Sequence, residues 1–378
     1  MKLLINKPNI SNLEKKYVSD VLNKGWLSAG GEHTTIFEKK FANFLNLKYA
    51  FAVQSGTAAL HTALKAAGVE KGDRVITPNF TCLSNISTIS QCNAVPIVVE
   101  IERDTLGLDY DLVMIAIEKY KPKVLQLVHV YGHPARDTKK IINLCKKNKI
   151  IVIEDSSESF GAEINGVKTG TFGDINVTSV RSEKMIGVGE GGIISTNNKY
   201  LFERANLYAS RKAPYRKSTN PYWKKYFAEG EGYNYRMPHL LGALGRAQVE
   251  RFSKELLPKK INIGLMYRKI FKNNNFEFTQ KILKNNKPSF WLNSLYFKNF
   301  SKKQVVSIGN KLMKLGIEVR SGFWPLNQQK GFKPKFVKKE LVSDDIFKRT
   351  LVLPSSYDLK IKDIKFIKKY LIKIIQSI

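Results

Sequence analysis

Cysteine is scarce in this chain. Cys82, Cys92 and Cys145 are the only three in 378 residues, and they show no paired spacing. A disulfide framework is therefore not expected, and a reducing cytoplasm is the expected location. Long apolar runs are missing as well. No stretch of 18 consecutive apolar residues occurs, which excludes an ordinary membrane-spanning helix. The start MKLLINKPNI holds only Leu3, Leu4 and Ile5 before Asn6 and Pro8, too short an apolar stretch for a secretory signal. His33, His61, His129, His133 and His239 lack metal-ligand spacing such as H-E-x-x-H, so no metal is expected. There is no G-x-S-x-G elbow and no P-loop. Gly187, Gly189 and Gly192 fit G-x-G-x-x-G, but IIST follows and reads as a strand, where a dinucleotide site needs a helix.

Acidic residues are also few: 32 Asp+Glu stand against 63 Lys+Arg, a formal net charge of +31. Nucleic-acid binding is one reading of such a balance. The lysines, however, are spread along the chain and mixed with Asn and Ile, with no Arg-rich arm and no aromatic-interleaved basic stripe. A compositional bias toward Lys and Asn is the simpler explanation. A basic surface would also draw in anionic substrates.

What is present is a globular composition, 43% hydrophobic, long enough for two domains. Residues 1–250 alternate short apolar runs with helical stretches, which predicts βα units and a mostly parallel sheet. Strands are expected at 49–53, 74–77, 95–99, 124–130, 150–154, 175–180 and 192–195. KKIINLCKKNK (139–149) reads as a helix with a solvated lysine face. After about residue 250, Lys/Asn-rich helices and loops surround two strand candidates, 289–297 and 316–320. The C-terminal stretch puts Ile364, Ile367, Leu371, Ile374 and Ile378 on one helical face. Such a basic amphipathic helix can lie on a membrane; docking on the protein's own core is the commoner fate and the expectation here.

Three stretches carry chemistry. SVRSEKMIGVGEGGIIST (179–196) sets Lys184 five residues before a glycine cluster. A lysine in a tight glycine-rich turn is a candidate for a Schiff base with an aldehyde cofactor, because glycine lets backbone and cofactor approach closely. Taken alone, it is equally a surface lysine beside a β-turn. IIVIEDSSESFGAE (150–163) ends an apolar β-branched run in acids. Asp155 then falls at the carboxyl end of a buried parallel strand, where open α/β sheets bind ligands. An acid there can keep a pyridinium nitrogen protonated, or it can cap the next helix. FAVQSGTAALHTALKAAG (51–68) runs strand, turn, helix, with Ala59, Leu60, Ala63, Leu64 and Ala67 at helical spacing. Ser55, Gly56 and Thr57 gather N–H groups and hydroxyls that favour an anion, although Ser/Thr before a helix is usually just an N-cap.

Together these stretches resemble the DegT/DnrJ/EryC1/StrS family of pyridoxal phosphate (PLP)-dependent aminotransferases. The resemblance covers nearly the whole chain. It takes in NKGWLSAGGEHTTIFEKKFANFL (23–45), SGTAAL (55–60), VITPNFT (75–81), VHVYGHP (128–134) and GYNYRMPHLLGALGRAQ (232–248). It continues through WLNSLYF (291–297), IEVRSGFWPL (317–326) and LPSSYDL (353–359). The resemblance implies the type I aminotransferase fold, an α/β fold. Residues 1–250 would form a large PLP-binding domain around a mostly parallel seven-stranded sheet, and residues 251–378 a smaller C-terminal α/β domain. It makes Lys184 the Schiff-base lysine and Asp155 the partner of the pyridine nitrogen. Glu158 would lie near the cofactor's phenolic oxygen, and Gly56, Thr57 and Ser179 would hold its phosphate. Asn234 would reach the cofactor phosphate of a neighbouring subunit, which implies a homodimer with shared sites.

Three departures from the family pattern stand out. Cys82 replaces the aromatic residue that commonly stacks on the cofactor ring. Asn327 stands where PLH has its histidine. Gly187 and Val188 precede GEGG where Thr is common. All three are expected on the cofactor face or the substrate side. PYWKKYFAEGEGYNYRM (221–237) is similar to the perosamine-synthase branch. The resemblance thus implies transfer of an amino group from L-glutamate to an anionic ketone, foremost a nucleotide-linked keto sugar for surface polysaccharide. A small phosphorylated ketone such as dihydroxyacetone phosphate is the alternative; Arg320 and the nearby lysines are candidate handles for either, and Arg320 is equally a candidate for a structural ion pair. A dehydratase of the family would carry His at Lys184. A non-catalytic regulatory protein would not need the Lys184, Asp155, Ser179 and Asn234 set.

Overall fold

A computed structural model of the chain describes residues 2–213, 227–272 and 276–378. The first six residues of the stretch compared with perosamine synthases, 221–226, lie outside the described residues.

The main sheet has eight strands: β1 Tyr49–Val53, β2 Arg74–Pro78, β3 Val95–Val99, β4 Val124–Val128, β5 Ile151–Asp155, β6 Ile175–Ser179, β7 Gly192–Thr196 and β8 Lys335–Val337. Their spatial order is β1-β7-β6-β5-β4-β2-β3-β8. Strands β6, β5, β4, β2, β3 and β8 pair in parallel, and β7 runs antiparallel to β6 and β1. The central strands are rich in β-branched residues and buried along their length, as strands covered on both faces must be. Helices pack against them. Those nearest the site are α1 Asn12–Lys24, α2 Glu32–Leu45, α3 Gly56–Ala66 and α4 Leu83–Gln91.

All seven expected strands are present, each within two residues of its expected ends. The eighth, β8, comes from beyond residue 250 and adds parallel to the outer edge of β3. Its three residues, with an exposed Lys335 at the start, give too short a pattern to read as a strand. The strand segment expected at 289–297 is Asn293–Tyr296, and the one at 316–320 starts only at Arg320.

The later part of the chain builds a four-stranded antiparallel sheet in the order Glu277–Phe278, Asn293–Tyr296, Thr350–Leu353, Arg320–Ser321. The helices Leu257–Phe271, Lys302–Lys314 and Ile361–Ile375 share one apolar core with it. The C-terminal helix docks there through Ile364, Ile367, Leu371 and Ile374. Ile378 does not join them, because the helix ends at Ile375 and leaves it exposed. Leu3 also belongs to this second core, and it pairs with Ile317. The chain thus crosses the expected boundary at residue 250 twice, with β8 in one direction and the N-terminal segment in the other.

Candidate active site

The carboxyl ends of the parallel strands share one edge, and a cleft of about 370 Å³ opens there. Helix α3 enters it N-terminus first. Ser55 caps that helix by accepting a hydrogen bond from the Ala58 N–H, so both readings of this stretch hold: the cap is real and the helix end is aimed at the cleft. Gly56 permits the approach. A Cβ at that position would lie 2.8 Å from Ser179 Cβ at the end of β6. Thr57 Oγ1 lies 2.9 Å from Ser84 Oγ in the first turn of α4. Ser157 Oγ accepts from the Ser179 N–H at 2.8 Å. Two helix N-termini and a ring of hydroxyls therefore converge, a cradle suited to a phosphate.

Asp155 ends β5 and is nearly buried. Its Oδ2 accepts from Asn85 Nδ2 at 3.1 Å and its Oδ1 from the Ser157 N–H at 3.0 Å. One bond to each oxygen fixes the carboxylate and leaves lone pairs free for a cationic donor.

Lys184 sits in a turn closed by hydrogen bonds between Val180 and Val188 and between Ser182 and Gly189. Gly189 has φ +103°, which suits glycine at that position. The Lys184 Nζ donates to Glu158 Oε1 at 3.2 Å and lies 3.7 Å from the centre of the Trp291 ring. Glu158 is buried and accepts from the Tyr131 N–H at 3.1 Å through its other oxygen. Burial raises the Glu158 pKa, and the charge of Lys184 opposes that rise.

Of the residues expected at the site, Gly56, Thr57, Cys82, Asp155, Glu158, Ser179, Lys184 and Arg320 line this cleft together. Cys82 stands exposed at the N-cap of α4 without a side-chain cap bond, its Sγ 3.5 Å from Ser84 Oγ. Arg320 is held in an ion pair with Glu183 and another with Glu318 at 3.2 Å. Arg181, also at the cleft, pairs with Glu183 at 3.4 Å and Glu190 at 3.2 Å. Asn234 is not in this cleft. It is exposed, and its Oδ1 accepts from Arg236 Nε at 3.1 Å.

Two of the departures do not reach the cleft either. Val188 is buried in the main core. At Gly187 a Cβ would meet Ser182 O and the Pro8 ring, so it faces the N-terminal segment. Asn327 follows the first residue of a short 3-10 turn, and its N–H donates to Asn79 Oδ1 at 2.9 Å. Of the altered positions only Cys82 touches the cleft. Sequence reading missed Ser84, Asn85, Ser157, Trp291 and Phe323, which also line it. The signal for Asn85 was its place one turn after Thr81, whose Oγ1 donates to Asn85 Oδ1 at 3.0 Å. The signal for Trp291 and Phe323 was only that they lie within the quoted stretches.

Residues 8–371 match the DegT/DnrJ/EryC1/StrS aminotransferase family. The chain belongs to this family. It is similar to a GDP-perosamine synthase of Escherichia coli O157:H7, with 32% identity over 363 residues, 96% of each chain. A GDP-perosamine synthase of Vibrio cholerae is 36% identical over 264 residues, 70% of this chain and 69% of that one. Among solved structures, the PMP form of Spr1654 from Streptococcus pneumoniae superposes with a TM-score of 0.91 at 21% identity, over 100% of this chain and 98% of the other. That likeness extends the family assignment to the fold. The DegT-family protein is a PLP-dependent aminotransferase, and its cofactor is pyridoxal 5'-phosphate. The donor set fits that cofactor: hydroxyls and helix ends for a phosphate, a carboxylate for a pyridinium and an amine for an aldehyde.

Proposed function

We propose that this aminotransferase moves an amino group from L-glutamate to the carbonyl carbon of a nucleotide-linked keto sugar, in the biosynthesis of a surface polysaccharide. The observation that carries amino transfer is the convergence of the Lys184 amine, the Asp155 carboxylate and the hydroxyl cradle on one cleft. The substrate class is supported by similarity to GDP-perosamine synthase over almost the full length.

Bound PLP supplies an aldehyde that takes up amines and a ring that accepts the electron pair left by a departing proton. The chain's own residues do the rest. Gly56, Thr57, Ser179 and the N-terminus of α3 would bind the phosphate and hold the cofactor independently of Lys184. Asp155 would accept a hydrogen bond from the ring nitrogen and keep it protonated. The Lys184 Nζ would take the proton from the donor's α-carbon and deliver it to the carbon that carried the aldehyde. Glu158, 3.2 Å away, steadies the ammonium so formed. Arg320 and Arg181 offer charge at the mouth once the substrate's phosphates displace their present carboxylate partners.

The test loads the enzyme with glutamate and asks which ketones restore the lysine-linked cofactor spectrum. Nucleotide-linked keto sugars are expected to react fastest, with kcat/KM falling as salt rises. A small phosphorylated ketone that outperforms them would move the reading to that substrate. A neutral ketone that does so without salt dependence would overturn the anionic handle altogether.

The working unit in this reading is a homodimer in which Asn234 serves the partner's cofactor. Its exposure, away from its own cleft, supports that role. Mixing inactive Lys184→Ala and Asn234→Ala proteins should restore partial activity, since one of the two sites in each mixed dimer is intact. Absence of recovery after demonstrated subunit exchange would mean that both residues serve one chain.

A further inference from the structure

Behind the cleft lies a lysine that the chemistry above does not use. Lys260, on the helix Leu257–Phe271, has no solvent exposure. Its Nζ donates to Asn6 Oδ1 at 2.9 Å, to the Trp291 carbonyl at 3.1 Å and to the Ser355 carbonyl. It also lies 4.7 Å from the centre of the Tyr357 ring. These partners are all neutral. Burial pushes the Lys260 pKa well down. Only the ammonium form has three N–H donors, however, and each has an acceptor here. A buried cation without a counter-charge is costly, so what it ties together matters.

Two of the three segments it joins meet again at one atom. Asn6 Nδ2 donates to the carbonyl of Glu183, and so does Trp291 Nε1. Glu183 is the residue before Lys184. Trp291 is thus fixed at its indole N–H and at its backbone carbonyl, with the ring face turned to the Lys184 Nζ at 3.7 Å.

We propose that the face of Trp291 stabilises the Lys184 ammonium by cation–π attraction, and that Lys260 is a positioning residue that holds Trp291 in place to do so. The inference rests on Lys184 being the reacting amine. When that amine takes up a proton, positive charge appears at Nζ, and the ring favours the charged form over the neutral one. Glu158 shares this task, but burial works against its negative charge. The ring assists without any protonation state of its own.

The measurement is the pH dependence of Lys184 acetylation by acetic anhydride in the full-length, cofactor-free protein, followed by peptide mass mapping. Only the free amine reacts, so the midpoint reports the Lys184 pKa. Trp291→Leu is expected to lower the midpoint by about one pH unit, a roughly tenfold faster reaction on the acid side. Trp291→Phe keeps a face but loses the bond to Glu183, and should fall between Trp291→Leu and wild type. Lys260→Met should shift the midpoint in the same direction, and should add no further shift in the Trp291→Leu background. If Lys260→Met does not fold, Asn6→Ala carries the same test from the other end of the circuit. In the loaded enzyme, Trp291→Leu should lower kcat more than it alters KM.

An unchanged midpoint in Trp291→Leu would overturn the role of the ring. Lost thermal stability in Lys260→Met with no shift, or a shift that persists without the Trp291 ring, would make Lys260 a purely structural residue. Borohydride-reduced cofactor attached to another lysine would instead defeat the underlying reading of Lys184.

Discussion

Lys184→Ala should abolish the visible band of the lysine-linked cofactor and cut turnover by at least ~10³-fold, with the fold retained. The loss is expected to be large because in the proposed mechanism one nitrogen would serve twice, as the covalent anchor and as the proton carrier. Positioned proton transfer alone is worth about 10²- to 10⁴-fold, and the covalent step adds to it. The fold should survive because the side chain points into the cleft, where it is 13% exposed, and its closest polar partner is Glu158. Without the lysine, Glu158 keeps the Tyr131 N–H and loses its cation. Burial already raises its pKa, so it takes up a proton rather than persist as an unpaired buried charge. Circular dichroism checks the fold, and borohydride reduction of the wild type with peptide mapping checks the anchor. A reduced label on any lysine other than Lys184 would refute the assignment.

Much of this site was legible because its chemistry is local in sequence. Lys184 lies in a turn that glycines mark, Asp155 ends a β-branched strand, and the α3 cap announces itself by Ser55-Gly56-Thr57. Each carries a signal within ten residues. The strands were legible for the same reason: β1 and β3 are five-residue apolar runs bounded by turns, and both fall on the expected residues. What escaped was assembled from afar. Lys259 and Lys260 are adjacent in a lysine-rich run, yet the first pairs with Glu255 at the surface and the second is wholly buried. Nothing local separates them; the difference arises when Asn6, Trp291 and Ser355 close around one of the two. Strand β8 is the same case at the level of backbone. Its three residues become a strand because β3 offers an open edge. Gly187, Val188 and Asn327 mislead in the opposite direction. Their nearness in sequence to the active turn or to a quoted stretch suggested a place in the cleft, whereas Val188 turns to the core, a Cβ at Gly187 would face the N-terminal segment, and Asn327 does not line the cleft.

Asp155→Ala should leave the cofactor bound and lower turnover by about 10²- to 10³-fold, the scale seen when one preorganised charge partner of a transition state is removed. Binding should persist because the cradle of Gly56, Thr57 and Ser179 and the Lys184 amine are untouched. Turnover should fall because a ring nitrogen without a carboxylate partner loses its proton and becomes a poor electron sink. The substitution also strips an acceptor from Asn85, whose side chain is fully buried. An unsatisfied donor there costs about 1–3 kcal/mol of stability, so a fall in activity could be confused with a loosened α4. Asp155→Asn separates the two effects. It keeps the shape and an acceptor for the Ser157 N–H and loses the charge, while its Nδ2 replaces the oxygen that accepted from Asn85, so the Asn85 amide must flip to accept from it and donate to Thr81 Oγ1. Its melting temperature should therefore stay closer to wild type than that of Asp155→Ala, while its single-turnover rate with glutamate falls nearly as far. If Asp155→Asn instead turns over glutamate at close to the wild-type rate, the charge at Asp155 does not hold the ring proton, and its place at the end of β5 is structural.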